Sequence, residues 1–289
     1  MKTPDKGASL QAIQYHYDVS NDFYRLWLDS SLTYSCALWE DNDTLEAAQV
    51  RKIDWHVEQA RAKNATRVLD VGCGWGSVLR RLVDTHGVKQ AVGLTLSETQ
   101  EQWLRSLSQP SIEVRLENWT HHMPLEPYEA IISIGAFEHF TRTELSPAEK
   151  IDVYRAFFSR CHDWLQPGGW MSLQTIAYGN LRRGKHYTNP FIATEIFPES
   201  DLPRLQEIAE ATEQLFELVV LRNDRADYAR TCRVWFERLR ANRARAVEVC
   251  GEAVVARYER FLRTFSYSFE LGAFWLLRLA LRRIDTVRT

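Results

Sequence analysis

Val68-Leu69-Asp70-Val71-Gly72-Cys73-Gly74-Trp75-Gly76-Ser77 is the stretch that decides how this chain folds. Residues without a turn signal run into glycines at alternate positions, and a helical pattern opens directly in Ser77-Val78-Leu79-Arg80-Arg81-Leu82. That order reads as a buried strand, a tight turn and a helix N-terminus. Glycine lets the backbone pass close under a ligand with no Cβ in the way, and the amides of a helix N-terminus face whatever binds there.

A glycine-rich turn is shared by several nucleotide-binding folds. Asp70, ahead of Gly72-x-Gly74-x-Gly76, narrows the choice. The spacing resembles the first motif of S-adenosylmethionine-dependent methyltransferases, in which the turn lies under the methionine part of the cofactor, and that resemblance implies that Asp70 holds the ligand's ammonium side.

Downstream, Gln90-Ala91-Val92-Gly93-Leu94-Thr95 reads as a second strand and Ser97-Glu98-Thr99-Gln100 as the next helix start. Thr95 stands where nucleotide-binding α/β folds usually place an acidic residue for the ribose. A third strand spans 112–116, with Glu117-Asn118-Trp119 at its end placed to bracket an adenine. A fourth, 129–133, runs into Ile134-Gly135-Ala136-Phe137-Glu138-His139-Phe140, and Pro167-Gly168-Gly169 turns into a fifth, 170–176. Strands alternating with helices predict an α/β fold of Rossmann type, a parallel doubly wound sheet with its ligands beyond the carboxyl ends of the strands.

Outside this core, 8–30 carries apolar residues at helical spacing (Leu10, Ile13, Tyr17, then Phe23, Leu26, Trp27), broken by Ser20-Asn21-Asp22 as a cap. Residues 32–39 are irregular, and Thr44 caps a helix to about residue 62 with Glu46 and Glu58 on its solvated side. Residues 178–203 depart from the alternation, 216–221 are β-like, and 230–264 are helical and charged with a solvated face. Trp275, Leu277, Leu279 and Leu281 alternate as in a last strand closing the sheet edge, although 274–283 also fits a basic amphipathic helix at a lipid surface. The chain therefore reads as one domain: 1–62 a helical lid and cap, 63–177 the cofactor-binding core, 178–212 an insertion covering the substrate, and 213–289 the rest of the sheet with its helices.

Composition agrees with such a domain. In 289 residues, 36 Lys and Arg balance 38 Asp and Glu, which argues against a nucleic-acid partner. The five cysteines are scattered without a Cys-x-x-Cys pair, so reduced thiols and a cytoplasmic location are expected, with neither disulfide framework nor metal site. The N-terminal residues carry no apolar signal region, and no apolar run is long enough to span a bilayer.

Several separated stretches then point to one family. Tyr15-His16-Tyr17-Asp18-Val19-Ser20-Asn21-Asp22-Phe23-Tyr24, Tyr34-Ser35-Cys36-Ala37, the glycine motif, Val92-Gly93-Leu94-Thr95-Leu96-Ser97 and Ser133-Ile134-Gly135-Ala136-Phe137-Glu138-His139 closely resemble the cyclopropane fatty acid synthases, to which the mycolic acid cyclopropane synthases and methyltransferases belong. Ile196-Phe197-Pro198 and Ala226-Asp227-Tyr228 continue the likeness over essentially the whole chain. It implies methyl transfer from S-adenosylmethionine to a cis alkene of a lipid-like chain through a carbocation, followed by proton loss that closes a cyclopropane. Such a cation needs a pocket closed to water, with aromatic faces such as Tyr17, Phe137 and Tyr228 to stabilise it. Whether the chain is presented free, on a carrier protein or at a membrane stays open.

The resemblance, with position in the fold, places Tyr34, Ser35, Asp70, Gly72, Gly74, Gly76, Thr95, Gln100, Asn118, Trp119 and Ile134 around the cofactor. It also implies a bicarbonate base held by Cys36, Glu138, Gln174, Ile176 and Tyr228. Four of these positions carry the family residue, but the family's His-Thr-Ile here reads Gln174-Thr175-Ile176. Gln donates a hydrogen bond yet cannot charge near neutrality as His does, so either bicarbonate is held more weakly or Glu138 is itself the base.

Of the other tempting residues, adjacent His121 and His122 are expected as solvated loop residues and not metal ligands. His139 either closes the fourth-strand loop or orients Glu138, and His16 belongs to lid packing or to the site. Cys36 is read as a backbone donor, having no basic neighbour in sequence to activate its thiol. Two other functions stay open at this level, a secondary-metabolite C- or N-methyltransferase on the same scaffold and a cofactor-binding protein without catalysis.

Overall fold

In the computed structural model the described residues are 7–9, 11, 12, 14, 19–181, 191, 195, 196 and 199–287. Leu10, Ile13, His16, Tyr17, Phe197 and Pro198, singled out above, lie outside them.

After residue 19 the N-terminal part forms the helices α1 (Asn21–Arg25) and α2 (Leu45–Gln59). Each begins where a hydroxyl meets unpaired first-turn amides: the Ser20 side chain accepts from Asp22 N and Phe23 N, and Thr44 from Ala47 N. The core then alternates β1 (Arg67–Val71), α3 (Ser77–Asp84), β2 (Gln90–Thr95), α4 (Glu98–Ser106), β3 (Ile112–Leu116), β4 (Tyr128–Ile134), a 3-10 turn Phe137–His139, α5 (Pro147–Trp164) and β5 (Leu165–Tyr178). The chain ends with α6 (Leu205–Thr212), β6 (Phe216–Asn223), α7 (Arg225–Ala241), α8 (Arg243–Cys250), α9 (Glu252–Glu270) and β7 (Phe274–Arg283).

The strands form one sheet in the order β3-β2-β1-β4-β5-β7-β6. Strands β1 to β5 pair in parallel, while β7 runs antiparallel to both β5 and β6. The strands that alternate with helices are thus parallel, as expected, and β7 and β6 extend the sheet antiparallel. The C-terminal stretch is a strand, as read, but an interior one, and the edge is β6. Burial explains the exchange: Leu277, Leu279 and Leu281 on one side of β7 and Leu276, Arg278 and Ala280 on the other are all buried, whereas Leu218, Val219 and Leu221 of β6 remain exposed. A strand with no wet face belongs inside a sheet.

Two further boundaries differ. Strand β5 starts at Leu165, so Pro167-Gly168-Gly169 is an irregularity within paired strand, with Gly168 at φ 74°, rather than a turn preceding it. The region 230–264 is divided into separate helices at Asn242 and at Gly251, whose φ of 83° ends α8. Helix α6 falls within the range assigned to the substrate-covering insertion, yet Ile208 and Ala211 are buried in the sheet core.

Alternation along the strands sorts the core into layers. Val68, Ala130 and Ile132 face α2, α3 and α4 through Ile53, Val57, Leu79, Leu82 and Leu104. Leu69, Val71 and Ile131 face α5 through Phe157 and Phe158. A third cluster, dominated by aromatic rings, joins α1 and α7 to α9 with Trp75, Ile176, Phe274 and Leu276. No helix among the described residues is long and apolar enough to cross a membrane.

Candidate active site

The turn after β1 is built as the sequence predicts. Gly72, Gly74 and Gly76 all have positive φ, and Gly76 stands as N-cap of α3 without a side chain in the way. At Gly72 a Cβ would stand 2.4 Å from that of Ala136, so the residue type is dictated by close packing as well as by φ. Nothing lies within 4 Å of where a Cβ on Gly74 would stand, and that residue lines a cavity of about 490 Å³ above the sheet.

Every residue predicted to surround the cofactor lines this cavity except Gly76: Tyr34, Ser35, Asp70, Gly72, Gly74, Thr95, Gln100, Asn118, Trp119 and Ile134. Gly76 instead shapes the turn from behind, where a Cβ would meet Leu104. The Thr95 hydroxyl donates to Gln100 Oε1 at 2.7 Å and accepts from Ser97 N. At the end of β2, therefore, a neutral pair takes the place usual for an acid. Trp119 is held edge-on against Phe157, with ring centroids 5.3 Å apart.

Asp70 carries the clearest electrostatic signal in the cavity. It is buried, and neither carboxylate oxygen has a hydrogen-bond partner among the described residues. Burial pushes its pKa well up, opposed by nearby Lys52. An orphaned buried carboxylate facing a cavity is costly unless a cation or donor meets it, which fits the ammonium of S-adenosylmethionine.

Sequence reading missed Lys52. It is buried on α2, its Nζ donates to Ser35 Oγ at 2.7 Å, and burial together with Arg278 pushes its pKa down. Beside it Gln49 Nε2 donates to Ser35 O at 2.8 Å and Thr33 O at 3.2 Å. These side chains fasten the irregular 33–36 segment over the cavity. The one available signal was their i, i+3 spacing on a face of α2 that turns inward.

A second group adjoins the first through that segment and through the end of β4. Buried Glu138 accepts from Ile176 N at 2.6 Å through Oε1, while Oε2 has no hydrogen-bond partner among the described residues. Burial raises its pKa to about 7 against the lowering effect of the Ile176 amide. Cys36 is fully buried, and burial pushes its thiol up to about 12, consistent with a backbone role. Tyr228, in the first turn of α7, stacks on Phe269 at 4.5 Å and lies in the same aromatic cluster as Cys36 and Ile176. Gln174 on β5 turns its Oε1 to Arg278 Nε at 2.9 Å and to His56 Nε2 at 3.4 Å. Arg278 and His56, both fully buried, were also unread, the first because it interrupts an apolar run whose alternation counts only the odd-numbered residues.

Other predicted residues sit elsewhere. His139 lines the cofactor cavity, where its Nδ1 bonds Ser200 Oγ at 2.8 Å and its carbonyl accepts from Ala8 N; burial lowers its pKa to about 4. That geometry fits closure of the loop. Phe137 belongs to the core beneath α5, stacked on Tyr154 at 4.4 Å, and not to the Tyr228 cluster. His122 is buried and not solvated, bonded to Glu117 at 3.1 Å and Tyr128 Oη at 3.0 Å; His121 is exposed as expected. Among the described residues no group of His, Cys, Asp and Glu could hold a metal.

Comparison with known proteins places the chain in a family. A family model described as mycolic acid cyclopropane synthetase matches residues 5–279. Cyclopropane mycolic acid synthase 3 of Mycobacterium tuberculosis is 36% identical over 278 residues, covering 90% of this chain and 92% of that protein. The structure of the cyclopropane synthase MmaA2 from Mycobacterium tuberculosis superimposes with a TM-score of 0.87 at 33% identity, covering 96% of this chain and all of that one. The mycolic acid cyclopropane synthase CmaA1, whose structure is a complex with SAH and CTAB, gives 0.86 at 33% identity over 96% of this chain and 99% of its own. The chain belongs to the mycolic acid cyclopropane synthetase family and is an S-adenosylmethionine-dependent methyltransferase of the cyclopropane synthase type.

Proposed function

We propose that this enzyme transfers the methyl group of S-adenosylmethionine to a cis-alkene carbon of a long acyl chain, and that Glu138 removes the proton whose loss closes the ring. The observation that carries the reading is the carboxylate of Glu138, sealed from water with one oxygen anchored and the other uncommitted. Its pKa near 7 is suited to accepting a proton at neutral pH.

When bound, the cofactor supplies an electrophilic sulfonium methyl. The protein's part is positional and electrostatic. Asp70 would meet the ammonium, the glycine turn would admit the methionine portion, and Asn118 and Trp119 would flank the base. Positive charge developing on the acyl chain is shielded by the aromatic cluster around Tyr228, where each ring face contributes roughly 0.5–2 kcal/mol, and exclusion of water prevents its capture. An acyl-chain acceptor is supported by the relatives, which are named as mycolic acid synthases.

Two of the positions that the resemblance implies for bicarbonate are partly engaged within the protein itself. The Ile176 amide is already bonded to Glu138, and the Gln174 oxygen to Arg278. We assign the proton step to Glu138 on the strength of its uncommitted carboxylate oxygen. The test is incubation of the chain with methyl-labelled S-adenosylmethionine and cis-unsaturated lipids, supplied free, in vesicles or on a carrier protein, with mass spectrometry of the acyl products. Labelled cyclopropane or methyl-branched chains support the reading, and absence of label from every acyl pool overturns it. Unchanged turnover after exhaustive removal of bicarbonate supports Glu138 as base, whereas full loss with rescue by added bicarbonate refutes it.

A further inference from the structure

We propose that Arg278 is the positioning residue of the reacting centre: its buried guanidinium fastens together the three segments that carry Cys36, Gln174 and Tyr228, and its presence is the reason position 174 holds a neutral amide. The inference rests on the reading above that these residues surround the reacting atoms.

Arg278 sits in the middle of β7, directly across from Gln174 on β5, with no exposed surface. Its Nε donates to Gln174 Oε1 at 2.9 Å. One terminal nitrogen donates to the Asp224 carboxylate. The other reaches Ala37 O at 2.9 Å and Cys36 O at 3.3 Å. Asp224 immediately precedes α7, and its carbonyl accepts from Tyr228 N at 3.3 Å. A single planar fork thus spans the 36–37 loop, β5 and the start of α7, and such a fork fixes direction as well as distance.

The same contacts restrict what residue 174 can be. Toward Arg278 the position must present an acceptor, because a donor would face a guanidinium N–H. The glutamine oxygen meets that need and accepts from His56 as well, which fixes the amide against flipping. An imidazole at 174 would be an acceptor there only while neutral. The charged and titratable groups around it are Arg278 on β7, His56 and Lys52 on α2, Glu138 after β4, and Asp224 and Asp227 beyond the guanidinium. Of these, His56 already shows the consequence: burial first and Arg278 next hold it well below the ordinary histidine range. A histidine at 174 could charge only if Arg278 were neutralised with it.

The test uses the full chain as Arg278→Gln, Gln174→His and the double variant, read by calorimetry with S-adenosylhomocysteine, by kcat and KM for acyl methylation, and by imidazole titration in NMR. Arg278→Gln should lower kcat by about tenfold to a hundredfold while affinity for S-adenosylhomocysteine stays within about twofold. Gln174→His should lose turnover comparably, and the double variant should retain roughly tenfold more activity than the product of the single losses predicts. The new imidazole should stay neutral down to about pH 5 beside Arg278 and titrate at higher pH in the double variant, still below about 6.5 because its burial remains. Wild-type kcat in Arg278→Gln, or strictly multiplicative losses, overturns the proposal. If Arg278→Gln fails to bind S-adenosylhomocysteine, the titration in Gln174→His decides: an imidazole that charges near 6.5 overturns the proposal and one that stays neutral supports it. A wild-type chain that methylates no acyl substrate would refute the acyl-transfer reading, and the titration would still decide the role of Arg278.

Discussion

Replacing Glu138 with Gln should stabilise the fold while abolishing acyl methylation, and the stabilisation should depend on pH in a stated direction. The side chains have the same shape, and the Gln oxygen can still accept from Ile176 N. What changes is that a buried carboxylate with one oxygen unpartnered is replaced by a group that never ionises. Burial raises the folded-state pKa from 4.5 to about 7, so at alkaline pH the native protein must ionise a group that prefers to stay neutral. At 1.36 kcal/mol per pH unit that rise costs wild type about 3 kcal/mol. The sign follows from linkage: native wild type holds its proton more tightly, so its stability relative to the variant is fully present below pH 4.5. It falls as pH rises toward 7 and is constant above. Other groups titrating in that window do so in both proteins and cancel in the comparison. Thermal melts at pH 4.5, 6 and 8 should show the variant roughly equal to wild type at the lowest pH and several degrees more stable at the highest, with about 2–4 °C per kcal/mol for a chain of this size. A difference that does not change between pH 4.5 and 8, or that favours wild type at pH 8, would refute the account of Glu138 as a carboxylate held near neutrality.

Four further outcomes follow from the geometry. Asp70→Asn should weaken S-adenosylhomocysteine binding by about tenfold to a hundredfold in calorimetry, since a charged partner for the ammonium is worth roughly 1.5–3 kcal/mol. Gly72→Ala, with φ 85° and a Cβ 2.4 Å from Ala136, should destabilise by about 3 kcal/mol in denaturant melts. Gly74→Ala, with no atom within 4 Å of its new Cβ, should cost about 1–2 kcal/mol of stability, and its main effect should be on cofactor affinity. Iodoacetamide at pH 8 should leave Cys36 unlabelled in the folded protein by mass spectrometry, because burial pushes its thiol up to about 12.

What the sequence by itself determined was whatever depends on neighbours along the chain. The strand, the glycine turn and the helix start at 67–77 were legible because positive φ, close backbone approach and capping are local demands that only certain residues meet. The same holds for Ser20, Thr44 and Ser97 as caps, and for the cavity-lining residues Asp70, Gly72, Thr95, Asn118 and Ile134, which lie at or just beyond strand ends that the α/β alternation specifies. Tertiary structure alone decided which strand is interior: β7 is flanked on both sides only because β6, some fifty residues earlier, returns to pair with its far edge. It also decided the buried polar groups beside the site. Lys52, His56 and Arg278 read as ordinary helix-face or strand residues, and they become buried hydrogen-bonding centres when α2, β5 and β7 converge. A buried charge persists only where donors and acceptors from distant segments meet it, so its position cannot be read from the residues beside it. Gln174 shows both levels at once: its departure from the family pattern is visible in the sequence, and the physical reason, a guanidinium 104 positions away donating to its oxygen at 2.9 Å, exists only in the fold.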